Sequence, residues 1–278
     1  MKNPKSIRAR LLNVSKQNGI DFQSVIIRYF HERLLYRISI TEYAHHFVLK
    51  GGNLMYALYG LDSRPTTDID LEGLKVSNLP SELNTIFQEI LMTSADDGVV
   101  FDLNKLDTAP IQENNNYQGL RITCEAQLDT IKQMIQVDIG FGDAITPQPV
   151  QMNFPTILGD FSEPIVWTYT VETVIAEKLQ AMLVLAQLNS RMKDFYDIYT
   201  LIQTQKIDYT VLKEAVKRTF SQRNTPLDFD SSIFREAFYT NQDRLKMWNN
   251  FLRKVKVDNI EFKDVMKEVT ALVLKLKD

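Results

Sequence analysis

The segment TTDIDLEG carries two aspartates, Asp68 and Asp70, that are separated by one isoleucine. In a β-strand successive side chains alternate between faces, so both carboxylates would project from the same face, with Cα atoms ~6–7 Å apart. Two carboxylates this close disfavour each other's ionised form unless a cation lies beside them. The spacing therefore predicts a site for divalent metal, of the kind that serves nucleotidyl transfer. A solvated strand end is the alternative interpretation.

Two adjacent glycines precede this pair in VLKGGNLMYAL, where Gly51 and Gly52 are followed by Asn53. The pattern predicts a strand, a tight turn, and a helix that begins near Asn53. Free N–H groups at the start of a helix attract phosphate, and glycine lets a large anion approach the backbone. An anion site and a cation site close together in sequence are what a nucleoside triphosphate–metal complex requires. A simple strand-to-helix turn is the alternative for the glycines.

A third carboxylate is needed to complete a two-metal site or to accept the proton of an attacking hydroxyl. Two later segments offer one: VVFDLN contains Asp102 and IQVDIGFGD contains Asp138. Both aspartates are flanked by apolar residues, so periodicity leaves the choice open. Asp143, at the end of the second segment, is expected in a loop.

The C-terminal half adds charged residues at helical spacing. In TVETVIAEKLQAMLVLAQ, Lys178 falls on the apolar stripe, which is costly unless it meets an anion such as a triphosphate or a carboxylate. The next helix, SRMKDFYDIYTLI, is predicted to have Ser190 as its N-cap and carries Lys193, Asp194 and Asp197. A surface helix with one i,i+4 ion pair is the alternative there.

The elements that would position these residues fall into three parts. Residues 1–45 are predicted to be helical, with a first helix ending at Gly19 and a second one capped by Asp21. Between Phe47 and about Pro155, short β-rich segments are interrupted by one helix with Ser81 as its N-cap. These segments are FVLKG, TDIDLEG, GVVFDLN, GLRITCEAQL and KQMIQVDIGF. Long spacers between strands favour a mixed sheet in an α+β or mixed α/β fold.

After about Thr168 only helices are predicted, with the boundary between the two halves near residues 155–168. The predicted helices span 171–188, 191–204, 207–219, 228–240, 243–255 and 260–277.

Composition excludes several classes of protein. The chain has 278 residues, a net charge of −3 and a single cysteine, Cys124, so an intramolecular disulfide and a Cys/His zinc site are both excluded. No apolar run approaches the ~18 residues of a membrane span, and MKNPKSIRAR lacks the apolar core of a signal peptide. We therefore expect a cytoplasmic protein that does not contact membranes.

Taken together, the motifs resemble those of the AbiEii toxin family, prokaryotic nucleotidyltransferase-like proteins of abortive-infection toxin–antitoxin systems. The resemblance covers roughly residues 47–204. It rests on five segments in order: GGNL…SRPTTDIDLEG, YQGLR, QVDIGFGD, AEKLQAML and RMKDFYDIY. It implies a polymerase-β-like nucleotidyltransferase core with N-terminal helices over residues 1–160. It also implies that a C-terminal helical bundle, residues 161–278, completes the active site.

The resemblance also implies roles for single residues. It favours Asp138 over Asp102 as the third carboxylate, and it places Lys178 and Asp194 at functional positions, with Asp197 as a close competitor for Asp194. The other implied roles are phosphate binding by Gly51, Gly52 and Asn53, metal binding by Asp68, Asp70 and Asp138, and charge neutralisation on the phosphates by Lys178, Lys193 and Arg64. The implied cofactor is Mg²⁺, with Mn²⁺ as its substitute, and the implied substrate is an NTP.

The activity implied is transfer of a nucleoside monophosphate from the NTP to an acceptor hydroxyl, with release of pyrophosphate. RNA, in particular the 3′ end of tRNA, is the expected acceptor, and a cognate antitoxin is the expected protein partner. Two rival interpretations stay open: a transferase that adds AMP to a protein, and a degenerate transferase fold that acts as a non-catalytic binding module.

Overall fold

The structure is a computed structural model that describes residues 3–111 and 119–277. It divides into two compact units. The first comprises Met1–Gly142 and Val150–Thr168, and the second comprises Asp143–Pro149 and Tyr169–Asp278. In the described ranges, every helix is too short or too polar to span a lipid bilayer.

The first unit is built on a seven-stranded mixed sheet with the order β3-β4-β5-β2-β1-β7-β6. The strands are β1 (Phe47–Lys50), β2 (Asp68–Gly73), β3 (Val99–Ile111), β4 (Gly119–Leu128), β5 (Ile131–Phe141), β6 (Val150–Asn153) and β7 (Ile165–Thr168). Near its centre, β2 pairs antiparallel with β1 and parallel with β5. The predicted mixed sheet is confirmed.

The α-helices in the described part of the first unit are α1 (Pro4–Asn18), α2 (Phe22–Ser39), α3 (Gly51–Tyr59) and α4 (Pro80–Met92). The predicted C-terminal end of α1 and the predicted N-cap of α2 are confirmed. Gly19 closes α1 in the left-handed conformation, and the Asp21 carboxylate accepts a hydrogen bond from the backbone N–H of Ser24 at the start of α2. Helix α3 begins at Gly51, directly after β1, two residues earlier than predicted.

One face of the sheet is largely apolar, and its central part is buried. Alternate residues of β2, β4 and β5 on this face are buried, and helices α1, α2 and α4 contact strands of the sheet. The buried residues are Ile69, Leu71, Ile122, Cys124, Ala126, Leu128, Ile135, Val137 and Ile139. Because side chains alternate, Asp68 and Asp70 project from the opposite face.

One prediction for this unit is wrong, and two strands were missed. Ser81 is not the N-cap of α4, because the helix begins at Pro80, whose fixed φ and missing N–H suit the first helical position. Strands β6 and β7 were not predicted. Each has four residues, which is too short for a period-2 pattern to stand out. Strand β7 pairs parallel with β1 and antiparallel with β6, which forms the edge of the sheet.

A buried ion pair fixes the connection between α4 and β3. The Arg37 guanidinium donates two hydrogen bonds to the Asp97 carboxylate, at 2.6 and 3.1 Å, and both side chains are buried. Asp97 also accepts from the backbone N–H of Val99, and its backbone carbonyl accepts from the Tyr29 hydroxyl. Helix α2 thereby holds the chain that enters β3.

The second unit is helical, as predicted. Its helices are α5 (Val171–Leu185), α6 (Met192–Thr204), α7 (Tyr209–Gln222), α8 (Glu236–Tyr239), α9 (Gln242–Val255) and α10 (Phe262–Lys277). The helix predicted over 228–240 is wrong: only a 3-10 turn at Ser232–Phe234 and the four-residue α8 form there. Ser190 is not a cap either, because α6 follows Arg191 without a side-chain cap.

The Arg37–Asp97 pair makes a stability prediction. Asp97→Ala leaves a buried guanidinium without its counter-ion, which typically costs about 3–5 kcal/mol. We expect a loss of that order in the free energy of unfolding measured by urea titration. Arg8→Ala, which removes the half-exposed Arg8–Asp129 pair of the same unit, serves as the control and should cost less than about 1 kcal/mol. Equal losses would contradict the assignment.

Candidate functional site

The structure brings three aspartates together on the open face of the sheet. Asp68 and Asp70 lie on β2, and Asp138 lies on β5 directly opposite Asp70 in the parallel register. One carboxylate oxygen from each lies within 4.8 Å of those of the other two, and all three residues are half-buried. The cluster forms because strand alternation aligns Asp68 with Asp70, and strand pairing adds Asp138 beside them.

Asp102 lies elsewhere in the sheet. It is on β3, and strands β4 and β5 separate β3 from β2. Its carboxylate accepts a hydrogen bond from the backbone N–H of Asn104, at 3.0 Å. Of the two candidates for the third carboxylate, the structure therefore places Asp138, and not Asp102, beside Asp68 and Asp70.

The two glycines make room for the aspartates. Gly51 has φ +63°, and a Cβ built on it would lie 1.8 Å from Oδ2 of Asp70. A Cβ on Gly52 would lie 2.5 Å from the Thr66 hydroxyl oxygen. No other residue type fits at Gly51, because the left-handed backbone and the close carboxylate both exclude a side chain. The Asp70 carboxylate thus lies against the N-terminus of α3, where the helix dipole favours negative charge.

A chain of polar contacts fixes Asp68. The Thr66 hydroxyl donates to Oδ1 of Asp68, at 2.9 Å, and the Asn53 side-chain amide donates to the Asp68 backbone carbonyl, at 2.8 Å. Asn53 is 1% exposed, and its side chain lies 3.3 Å from Nδ1 of His31 on α2. Burial lowers the pKa of His31 to about 4, so this histidine is neutral near pH 7. The Asn53 side chain therefore ties α2, α3 and β2 together in the protein interior.

Cationic side chains flank the aspartates on both sides. On β4, Arg121 donates two hydrogen bonds of 2.8 Å to the two oxygens of Asp138. On β1, Lys50 lies opposite Asp70 in the antiparallel register, and its ammonium pairs with Glu72 at 2.8 Å. No role was predicted for Arg121 or Lys50, because local sequence patterns do not show which strands are neighbours.

The donor set suits a hard divalent cation. Three carboxylates supply only oxygen ligands, which Mg²⁺ and Mn²⁺ favour over the nitrogen and sulfur ligands of zinc sites. Among the described residues, no other group of three or more His, Cys, Asp or Glu side chains is placed to hold a metal.

The other predicted phosphate ligand of this unit, Arg64, lies in the loop before β2 and is largely buried. Of the motif YQGLR, Tyr117 and Gln118 lie outside the described residues.

The second unit holds its own ionic cluster. Nζ of Lys178 on α5 lies 2.8 Å from carboxylate oxygens of both Asp194 and Asp197 on α6. These two aspartates are 1% and 0% exposed, and Arg191 pairs with Asp194 as well. The anions that Lys178 meets on its apolar stripe are therefore carboxylates of its own unit. The choice between Asp194 and Asp197 does not arise for Lys178, which binds both, whereas Lys193 is exposed.

A further cluster in this unit was not predicted. Arg223, which directly follows α7 as its C-cap, pairs with Asp143 at 2.9 Å and with Glu177 at 3.0 Å. Burial alone would lower the pKa of Arg223, but the charges of Glu177 and Asp143 outweigh it and raise the pKa. The loop position predicted for Asp143 agrees with the structure, and this ion pair fixes the loop to α7.

The clearance at Gly51 gives a sharp prediction. Gly51→Ala must displace the Asp70 carboxylate and also strain the backbone, whereas Gly19→Ala has the same φ of +63° and open space around it. We expect Gly19→Ala to cost about 1 kcal/mol of unfolding free energy, and Gly51→Ala to cost at least about 2 kcal/mol more because of the overlap. Urea unfolding measures both, and similar losses would show that the close contact is absent.

Lys178 makes a separate prediction within the second unit. Lys178→Met leaves two buried carboxylates without their shared cation, which typically costs about 3–5 kcal/mol. Lys193→Met on the exposed face of α6 is the control, expected to change the free energy of unfolding by less than about 0.5 kcal/mol. An unchanged melting temperature for Lys178→Met would contradict the buried cluster.

Comparisons with known proteins identify the family of this chain and proteins of similar fold. Residues 33–268 match the family model described as nucleotidyl transferase AbiEii toxin, type IV toxin–antitoxin system. A crystal structure of a candidate nucleotidyltransferase from H. pylori aligns with TM-score 0.52 and 16% identity, over 92% of this chain and 96% of that one. The crystal structure of JHP933 from Helicobacter pylori aligns with TM-score 0.51 and 16% identity, over 91% of each chain. A search of curated proteins gives no match.

At this identity the two solved structures show a shared fold, and the family match covers most of the sequence. The chain belongs to the AbiEii family of nucleotidyltransferase toxins of type IV toxin–antitoxin systems.

Proposed function

We propose that this nucleotidyltransferase toxin transfers a nucleoside monophosphate from an NTP to a hydroxyl of RNA, with the 3′ end of tRNA as acceptor. We further propose that the reaction depends on Mg²⁺ or on Mn²⁺ in its place. Family membership supplies the nucleotide substrate and the antitoxin partner. The observation that carries the metal dependence is the cluster of Asp68, Asp70 and Asp138 beside the N-terminus of α3.

The reaction is a single displacement at the α-phosphorus of the NTP. An acceptor hydroxyl oxygen forms a new bond to that phosphorus, the bond from phosphorus to the α–β bridging oxygen breaks, and pyrophosphate leaves. The hydroxyl proton passes to a base or to water. A bound divalent ion would neutralise phosphate charge and orient the reacting oxygens.

Residues of the first unit would have separate roles in this displacement. Asp68 and Asp70 would hold the metal against the triphosphate, and Asp138 would complete the ligand set or accept the hydroxyl proton. The N–H groups at the start of α3, at Gly51 and Gly52, suit phosphate oxygens. Asn53 contributes from the interior by fixing the backbone of Asp68. Catalysis would then consist mainly of positioning and electrostatic stabilisation.

The remaining roles taken from the resemblance stay predictions. They are phosphate binding by Lys178, Lys193 and Arg64 and a functional role for Asp194. Because Lys178 and Asp194 form a buried ion pair, an activity assay of variants at these positions needs a stability measurement beside it.

The RNA acceptor rests on the resemblance, since the same displacement serves a hydroxyl of RNA or of a protein side chain. Its test is direct. The protein is incubated with each α-labelled NTP, Mg²⁺ and total tRNA, and the products are separated into RNA and protein. We expect label in tRNA for at least one NTP. Label in protein would replace this proposal with the AMP-adding transferase, and no label together with no Mg²⁺-dependent NTP binding would favour the non-catalytic module.

The aspartates give the matched variants. Asp70→Asn and Asp138→Asn should each lower the labelling rate by about 10³-fold, because losing a metal ligand removes several kcal/mol of transition-state stabilisation. Asp102→Asn is the control: it removes one carboxylate from the same sheet, outside the cluster, and should leave the rate within about twofold of wild type. Loss of activity in Asp102→Asn with retention in Asp138→Asn would reverse the assignment of the third carboxylate.

A further inference from the structure

Both carboxylate oxygens of Asp138 are bound to one arginine, Arg121. Nε of Arg121 donates to Oδ1 and a terminal nitrogen of Arg121 donates to Oδ2, both at 2.8 Å. The side-chain amide of Gln136 adds a third hydrogen bond to Oδ2, at 3.2 Å. This two-pronged contact is the strong form of an arginine–carboxylate pair and fixes the plane of the carboxylate.

Arg121 reaches Asp138 because the two residues are direct cross-strand neighbours. They oppose each other in the antiparallel β4–β5 register, as Asp138 and Asp70 do in the parallel β5–β2 register. The Arg121 side chain is 41% exposed, whereas that of Asp138 is 19% exposed. The guanidinium therefore lies at the solvent edge of the aspartate cluster and can yield its position without disturbing the protein core.

A guanidinium and a divalent cation compete for binding to one carboxylate. Each favours the ionised form and the same oxygen lone pairs, and each repels the other. While Arg121 binds both oxygens of Asp138, a free metal ion at the cluster must share this ligand with a fixed positive charge. A metal ion that arrives with a triphosphate brings negative charge of its own, which the exposed guanidinium can bind.

We propose that Arg121 is a positioning residue that orients Asp138 and weakens the binding of free metal at the cluster, so that the site favours the metal–nucleotide complex over the metal alone. This rests on the proposed metal-dependent function. One variant is therefore expected to change metal binding and transfer in opposite directions. Removing the guanidinium should strengthen the binding of free metal, because the competing charge is gone, and should slow transfer, because Asp138 loses its fixed orientation.

The test uses the full-length protein and Mn²⁺ alone as the probe. Binding of Mn²⁺ without nucleotide is measured by electron paramagnetic resonance, and kcat and KM for the NTP are measured by labelling. For Arg121→Gln we expect Mn²⁺ to bind about three- to tenfold more tightly, with kcat lowered about tenfold or more.

Lys132→Gln is the matched control. Lys132 lies on the same face of β5 and pairs with Glu125 at 3.2 Å, away from the three aspartates. Its loss also removes one positive charge, and we expect Mn²⁺ affinity and kcat within about twofold of wild type. A residue that only stabilised the sheet would not change Mn²⁺ affinity upwards, so this readout separates the two roles.

Arg121→Lys separates charge from orientation. It keeps the positive charge but cannot donate from two nitrogens to both oxygens of Asp138. We therefore expect kcat to fall, while Mn²⁺ affinity stays closer to wild type than in Arg121→Gln. If Arg121→Gln yields no folded protein, Arg121→Lys decides alone: a kcat equal to wild type overturns the proposal. Mn²⁺ binding by Arg121→Gln that is equal to or weaker than that of Lys132→Gln also overturns it.

Failure of the proposed function has a different result. In that case the wild-type protein labels no acceptor and shows no metal-dependent binding of NTP, whereas failure of the Arg121 proposal leaves wild-type nucleotide binding and transfer intact.

Discussion

The approach of the Asp70 carboxylate to the Cα of Gly51 is the contact on which the candidate site depends. It requires a residue with no side chain in the left-handed conformation, at the point where β1 passes into α3. Gly52 admits Thr66 in the same way, and Thr66 in turn holds Asp68. The glycine pair is therefore needed by the protein's own carboxylates before any phosphate binds. The same short segment thus has to leave space for the carboxylates and would also have to bind phosphate.

Three carboxylates on one sheet face repel one another. Positive groups of the first unit lie beside them and offset this repulsion. Arg121 lies on one side of the cluster, and Lys50 with its partner Glu72 lies on the other. The N-terminus of α3 adds a favourable dipole beside Asp70. The neutral His31 and the buried Asn53 add hydrogen bonds without adding charge. These contacts stabilise the three carboxylates in an arrangement that suits a cation.

Local pattern was enough to predict much of the fold. Alternation along TTDIDLEG predicted that Asp68 and Asp70 share a face, and the caps Gly19 and Asp21 were read correctly because each acts within one turn of its own helix. Strand neighbours could not be predicted, because parallel pairing of β2 with β5 joins segments far apart in the chain. For the same reason periodicity left Asp138 and Asp102 equivalent, and the resemblance alone favoured Asp138.

The wrong predictions have local causes as well. Ser81 and Ser190 are good cap residues by type, yet Pro80 starts α4 and Arg191 precedes α6, since the backbone path, and not the side chain, decides where a helix begins. Strands as short as β6 and β7 carry too few residues for a pattern. Arg121 was missed although it stands in a quoted motif, because its partner is defined only by the β4–β5 register.

The ionic cluster of the second unit shows why motif membership and chemical role must be argued separately. Lys178 lies on the apolar stripe of α5, and Asp194 and Asp197 lie three residues apart on α6, so one turn of helix presents both carboxylates to one ammonium. Lys178 is the shared partner of both carboxylates, so its removal leaves two buried anions without that cation. Lys178, Asp194 and Asp197 would therefore affect folding whether or not they contact a nucleotide. Loss of activity on substitution there becomes evidence for catalysis only when the variant is shown to be folded.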